Sequence, residues 1–299
     1  MACEPDEWPL SRPTRKRLRL AGPTPRYMTG RLPPINCRRE ESRIRGFIKK
    51  TVARSGAKGV VLGLSGGVDS ALVLALCVRA LGHERVTALL MPSPHTPRED
   101  MDDAAALADS LGVRRITIPL SPIVDALISA AGNSASRIAR ANVQARARMT
   151  LLYYVANSQG LLVAGTGDRS EELLGFFTKY GDGGVDLLPI AHLFKTQVRR
   201  LGKHLGLPAR IVGKPASPQL WPGHTAEEEL PAGYEILDPL MRLIFDMGLS
   251  ATEASRVLGV GRVVADRVIV MHRGSAHKRS VPPSLDSRPA RAPSSRAKD

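Results

Sequence analysis

Residues 59–81 read GVVLGLSGGVDSALVLALCVRAL. The first six are a short, unbroken apolar run, the signature of a strand buried on both faces, and residues 68–81 continue as an apolar segment long enough for a helix. The junction is Gly63-Leu64-Ser65-Gly66-Gly67-Val68-Asp69-Ser70. Its glycines let the main chain approach a ligand with no Cβ in the way. Loop N–H groups and the start of a helix together make an anion site, to which Ser65 and Ser70 can add hydroxyl donors. Asp69 would repel a phosphate by itself, but it fits if Mg2+ bridges carboxylate and phosphates. No GxxxxGK[ST] is present and no lysine follows the glycines, so this is not a Walker A loop.

Outward from this junction the chain alternates. Helices are predicted over residues 41–54, 68–81, 97–111, 121–130 and 136–157, and strands over 59–64, 86–91, 115–118 and 161–164. Such alternation implies an α/β fold, a doubly wound parallel sheet with helices on both faces. Its crossovers are right-handed, and its ligands sit beyond the carboxyl ends of the strands.

Composition narrows the function. The 299 residues carry 43 Lys+Arg against 28 Asp+Glu, a net charge of +15. Residues 1–58 hold 15 basic and 5 acidic side chains and residues 262–299 hold nine and three, which leaves 19 and 20 between them. The excess lies in the ends. Residues 1–36 and 284–299 read as unstructured, basic, Pro-rich extensions flanking a catalytic domain over 37–283. Such ends suit weak polyanion binding, but they lack the interleaved aromatics of a dedicated nucleic-acid site. Residues 249–272 imitate a helix-turn-helix, the alternative being two packed helices of the domain. The longest apolar run, residues 71–78, is too short to span a membrane. Cys3, Cys37 and Cys77 form no CxxC pair, and a reducing cytoplasm is the expected location.

A second polar cluster follows the strand at 161–164: GTGDRSEELLGFFTKYGDGGVDLLPI over residues 165–190. It offers Glu171 as a second metal carboxylate, Lys179 as a cation and Asp186 as an acceptor for ribose or amide groups. Loops this long inside compact domains are usually functional, and the glycine-dense part can close over a ligand.

The SGGVDS string resembles the signature of the PP-loop ATP pyrophosphatases, which cleave ATP between its α- and β-phosphates. The 165–190 segment resembles the ammonia-dependent NAD synthetases within that superfamily. Three further strings match in the same order: Asn142-Val143-Gln144-Ala145-Arg146-Ala147-Arg148-Met149, Lys214-Pro215-Ala216-Ser217-Pro218-Gln219-Leu220-Trp221 and Ser275-Ala276-His277-Lys278-Arg279. Two places depart from the family pattern. Asp168-Arg169-Ser170 sets an arginine beside the expected metal carboxylates, and Pro218-Gln219 alters the loop around Ser217.

The resemblance implies a Rossmann-like fold, two packed domain helices over residues 249–272, and a set of roles. ATP would be held by Gly63, Leu64, Ser65, Gly66, Gly67, Val68, Asp69, Ser70, Thr166, Lys195 and Ser217. Deamido-NAD would be held by Arg146, Lys179, Asp186, His277 and Lys278, and Mg2+ by Asp69 and Glu171. No side chain serves as a general acid or base; Lys195 and Lys179 stabilise charge. The implied reaction is ATP-dependent amidation of deamido-NAD to NAD, a ligase reaction forming a C–N bond. Only 62 residues precede Gly63, too few for a glutamine-hydrolysing domain. Free ammonia, or ammonia from a separate subunit, is therefore the expected nitrogen source, and a homodimer the expected assembly. The alternatives are another PP-loop amidotransferase or tRNA-modifying ligase, and a basic nucleic-acid-binding protein.

Overall fold

The computed structural model describes residues 30–132, 136–217, 219, 221, 223 and 225–285. Most of both basic extensions, with Cys3, and Pro218 in the altered loop lie outside the described residues. Four parallel strands, β1 (Gly59–Gly63), β2 (Val86–Leu90), β3 (Arg114–Thr117) and β4 (Leu161–Val163), form a sheet in the order β3-β2-β1-β4. Val61 of β1 stands in register with Thr87 on one side and Val163 on the other.

The helices in chain order are α1 (Cys37–Ser55), α2 (Val68–Leu81), α3 (Arg98–Ser110), α4 (Ser121–Ala130), α5 (Arg137–Gln159), α6 (Arg169–Leu174), α7 (Lys195–His204), α8 (Ala209–Val212), α9 (Tyr234–Met241), α10 (Ala251–Leu258) and α11 (Arg262–Gly274). Their ends follow local chemistry. Asn36 caps α1 by accepting from the Arg39 N–H, and Gly56 closes it in the left-handed conformation. Ser136 and Gly160 do the same for α5. The expected elements are all present, with boundaries moved by a few residues. The largest shift is at the start of α1, which begins at Cys37 rather than 41.

The apolar run of β1 is read by both layers. Val60 and Leu62 pack into a core shared with α1, α2, α3 and α7, while Val61 packs with Leu89 and Val163 into a core beneath α4 and α5. Period-two alternation of an all-apolar strand is what two covered faces require. A third apolar core joins α6, α9, α10 and α11. The helix-turn-helix imitation lies there: Ala254 of α10 and Ala265 and Val268 of α11 are buried in that core, as expected of packed domain helices. Among the described residues, no helix is long and apolar enough to cross a membrane.

Leu62 is fully buried between strand and helices, whereas Val263 on α11 is 81% exposed. Leu62→Ala is expected to lower unfolding free energy by about 2–5 kcal/mol in urea titration, and Val263→Ala to change it by less than about 0.5 kcal/mol. Equal effects would contradict the burial assigned to β1.

Candidate active site

β1 and β4 are hydrogen-bonded neighbours, but the direction of winding reverses between them. The loops that leave their carboxyl ends therefore diverge and open a crevice. The crevice is a cavity of about 490 Å3, lined on one side by the 63–70 loop and on the other by Gly165, Thr166, Gly167 and Glu171. Leu64 continues beyond β1 by donating its N–H to the Leu89 carbonyl. The loop is then held by its own serines. Ser70 Oγ accepts from Ser65 N at 3.2 Å and donates to the Gly67 carbonyl at 3.0 Å, and Ser65 Oγ accepts from Gly67 N at 3.3 Å. Gly66 has φ +83°, and a Cβ there would collide with the Asp100 carbonyl. Glycine is thus required both by conformation and by the close approach of α3. Gly67, at the cap position of α2, brings no side chain to its first N–H groups, which leaves that end suited to an anion.

Lys195 opens α7, is 1% exposed, and is the centre of the site. Its Nζ lies 2.8 Å from Asp69 Oδ2, 2.9 Å from Glu171 Oε1 and 3.2 Å from Asp168 Oδ2. Burial pulls the ammonium toward neutrality, but Asp168, Asp69 and Glu171 together outweigh it and hold the pKa well above the usual lysine value. Burial likewise pushes the carboxyls of Asp168 and Glu171 upward, against the pull of Lys195. Three carboxyl groups share this one ammonium. Asp69 Oδ1 is buried with no hydrogen-bond partner among the described residues. That orphaned oxygen and the gathered carboxyl groups fit a hard divalent cation. Among the described residues no set of three or more His, Cys, Asp or Glu side chains could hold a metal alone. Asp69 and Glu171 would therefore share Mg2+ with ligands such as phosphate oxygens, as that ion commonly requires.

The cavity collects most of the residues expected to hold ATP: Gly63, Leu64, Ser65, Gly67, Val68, Asp69, Ser70, Thr166, Lys195 and Ser217 line it, whereas Gly66 is turned onto Asp100. Lys278 and Glu171 line it as well. Arg146, Lys179, Asp186 and His277 lie outside its lining. Lys179 Nζ donates to the His277 carbonyl at 2.7 Å, and Arg146 reaches the Lys179 carbonyl at 3.4 Å, so these three residues are gathered at one place on the surface. Asp186 holds the sheet edge: its carboxylate accepts from Val163 N at 2.7 Å and from Tyr153 OH at 3.0 Å. Arg169 does not face the carboxylates, as its sequence position suggested. It pairs with Asp246 and lies over the Phe194 ring.

Several functional residues carried no assigned role in the sequence. Asp168 accepts from Glu171 N at 2.8 Å and Glu171 Oε2 accepts from Asp168 N at 3.2 Å. This is a capping box, and the D-x-x-E spacing was its signal. Lys214 pairs with the buried Asp100 and Asp103 and reaches the Gly66 carbonyl at 3.5 Å. It anchors a strap in which Gln219, held at φ 52°, donates to Asp100, and Trp221 lies 4.3 Å from the Arg137 guanidinium. Lys214, Pro215, Ser217, Gln219 and Trp221 line both the cavity and a more open depression of about 860 Å3. The C-terminal motif clasps the 172–179 segment. Lys278 Nζ donates to the carbonyls of Gly175 and Phe177 at 2.7 and 2.6 Å, and Arg279 donates to the Glu172 carbonyl at 3.0 Å.

Comparison with known proteins gives the family. The sequence model of the NAD synthase family matches residues 40–282. The chain is 56% identical over 244 residues to the NH(3)-dependent NAD(+) synthetase of Hyperthermus butylicus, covering 81% of this chain and 88% of that protein. It is 49% identical over 250 residues to the enzyme of the same name from Archaeoglobus fulgidus, covering 83% and 97%. Among solved structures it resembles the NMN synthetase of Francisella tularensis, with 31% identity and a TM-score of 0.75 over 85% of this chain and 100% of that one. It also resembles the NH3-dependent NAD synthetase of Campylobacter jejuni, with 28% identity and a TM-score of 0.71 over 84% and 100%. A chain matched over most of its length by this family model, and by relatives of this identity, belongs to the NAD synthase family.

Proposed function

We propose that the cavity between β1 and β4 joins ammonia to the nicotinate carboxyl of deamido-NAD at the expense of ATP. The chain is a ligase that forms a C–N bond. The observation that carries the chemical reading is the buried Lys195, held among carboxylates where the 63–70 loop would place a triphosphate.

A carboxylate is a poor electrophile, and ammonia cannot displace oxide from it. The substrate carboxylate instead attacks the α-phosphorus of ATP. The bond from that phosphorus to the β-bridging oxygen breaks, and pyrophosphate leaves with the electron pair. Ammonia then attacks the carbonyl of the mixed anhydride, loses a proton to solvent and expels AMP, giving the amide. The substrate supplies the nucleophile, so the protein's work is placement and charge stabilisation. The 63–70 loop orients the phosphates. Lys195 meets the charge that grows on the departing pyrophosphate, where a fixed cation in a buried site acts without reorganisation. Mg2+, held by Asp69 and Glu171, would neutralise phosphate charge when bound.

Arg146, Lys179, Asp186, His277 and Lys278 are proposed to meet the dinucleotide. In this reading the loop around Ser217 and the 181–186 loop close over the adenylate and keep water from it. We read the working unit as a homodimer located in the cytoplasm; the exposed Tyr154 of α5 is an apolar side chain that a second copy would cover.

With ATP, Mg2+, deamido-NAD and ammonium, the chain is expected to form NAD, AMP and pyrophosphate in equal amounts. Lys195→Met is expected to lower kcat by about 10²–10³-fold, and Asp69→Ala to abolish turnover, with both variants melting cooperatively. A Lys195→Met enzyme at wild-type rate would refute the role given to the lysine. Limited proteolysis tests the closing segments. Cleavage within 214–221 should slow when ATP and deamido-NAD are both present, and an unchanged cutting pattern would contradict closure.

A further inference from the structure

Asp238 lies on α9 outside the cavity lining, yet it is a fully buried carboxylate. A buried charge persists in a fold only where donors surround it, and its donors are specific. Ser170 Oγ donates to Oδ1 at 2.6 Å, while Thr196 N and Thr196 Oγ1 donate to Oδ2 at 2.8 and 2.7 Å. Ser170 Oγ in turn accepts from Lys195 N at 2.9 Å. α7 begins after Phe194, whose side chain cannot accept a hydrogen bond. The capping of its first turn is therefore done from another helix, by a negative charge at the positive end of the helix dipole.

The geometry points to Asp238 as a positioning residue for the reaction: one carboxylate on α9 fixes the first turns of both α6 and α7, and so sets where Lys195 meets Asp69 and Glu171. Ser170 immediately precedes Glu171 and Thr196 immediately follows Lys195, so both ends of the Lys195–Glu171 ion pair are tied to the same side chain. Asp238 hydrogen-bonds to Ser170 and Thr196, neither of which lines the cavity, and its charge is also felt by Lys195. The inference rests on the reading of Lys195 as the group that stabilises departing pyrophosphate.

The test is steady-state kinetics of the full chain with ATP, Mg2+, deamido-NAD and saturating ammonium, with thermal melting measured in parallel. If Asp238 aims Lys195 at charge that develops only in the transition state, Asp238→Asn lowers kcat by about 10–100-fold and leaves KM for ATP within about twofold. Ser170→Ala removes the link to Lys195 with little change of volume and is expected to lower kcat in the same way. Thr196→Ser, which keeps the donor, retains activity that Thr196→Val loses, and these substitutions carry the test should Asp238→Asn not fold.

The decisive comparison is made in the Lys195→Met background. There Asp238→Asn and Ser170→Ala are expected to cost no further rate, since residues acting through one group are not additive. Full additivity, or a folded Asp238→Asn enzyme with wild-type kcat, would overturn the positioning role. A Lys195→Met enzyme with wild-type kcat would instead overturn the reading of Lys195 itself, and the positioning role with it. The two failures are thus distinguishable.

Discussion

A lysine ammonium that is 1% exposed constrains everything around it. Left unpaired, such a charge would neutralise or prevent folding. Here Asp69 comes from the first turn of α2, Glu171 from the first turn of α6, Asp168 from the cap of α6 and Lys195 from the first residue of α7. Three helix N-termini therefore converge on one point. They can do so because β1 and β4 are neighbours and their loops part on the same side of the sheet. Breaking one partner of such a cluster costs far more than the cluster contributes to stability. Its presence is better explained by chemistry than by folding energy. A fixed cation with carboxyl groups gathered beside it suits a reaction in which phosphate charge arrives with a divalent metal and grows during bond cleavage.

The fold was legible in the sequence because its strongest signals are local. An apolar run that ends in SGGVDS can be a buried strand running into a helix at an anion site, and its both-face burial followed from having no polar alternation. The helix ends were less legible. The apolar periodicity of α1 begins at Ile44, whereas the helix begins at Cys37, where Asn36 caps it. The site was legible to the extent that its residues sit in contiguous strings, as Asp69, Thr166 and Glu171 do, or that the family resemblance pointed to them, as for Lys195; all four line one cavity. What could not be read were contacts between distant segments. Arg169 follows Asp168 and stands two residues before Glu171 in sequence, but tertiary packing turns its side chain to Asp246. Asp238 carries no local sign of its role, since its donors lie 42 and 68 residues away.

The outer parts of the site are built differently from its centre. The strap is anchored to α3 through Lys214, which also reaches the backbone of the phosphate loop, so strap position and loop position are mechanically connected. Its non-glycine residue in the left-handed region, Gln219, is the kind of backbone state that persists only where neighbours hold it. The clasp formed by Lys278 and Arg279 works through main-chain carbonyls of the 172–179 segment. Gly175 is required there, because a Cβ would collide with Ser275. Lys278 thus both fastens this segment and borders the cavity.

Attack of the substrate carboxylate on the α-phosphorus of ATP within this cavity would carry one carboxyl oxygen into AMP. Deamido-NAD labelled with oxygen-18 at both oxygens of its carboxyl group, turned over with ATP, Mg2+ and ammonium and analysed by mass spectrometry, follows the oxygen directly. One labelled oxygen in AMP for each NAD formed, and none in pyrophosphate, is the expected result. Label in pyrophosphate, or AMP that gains its new oxygen from solvent, would contradict it.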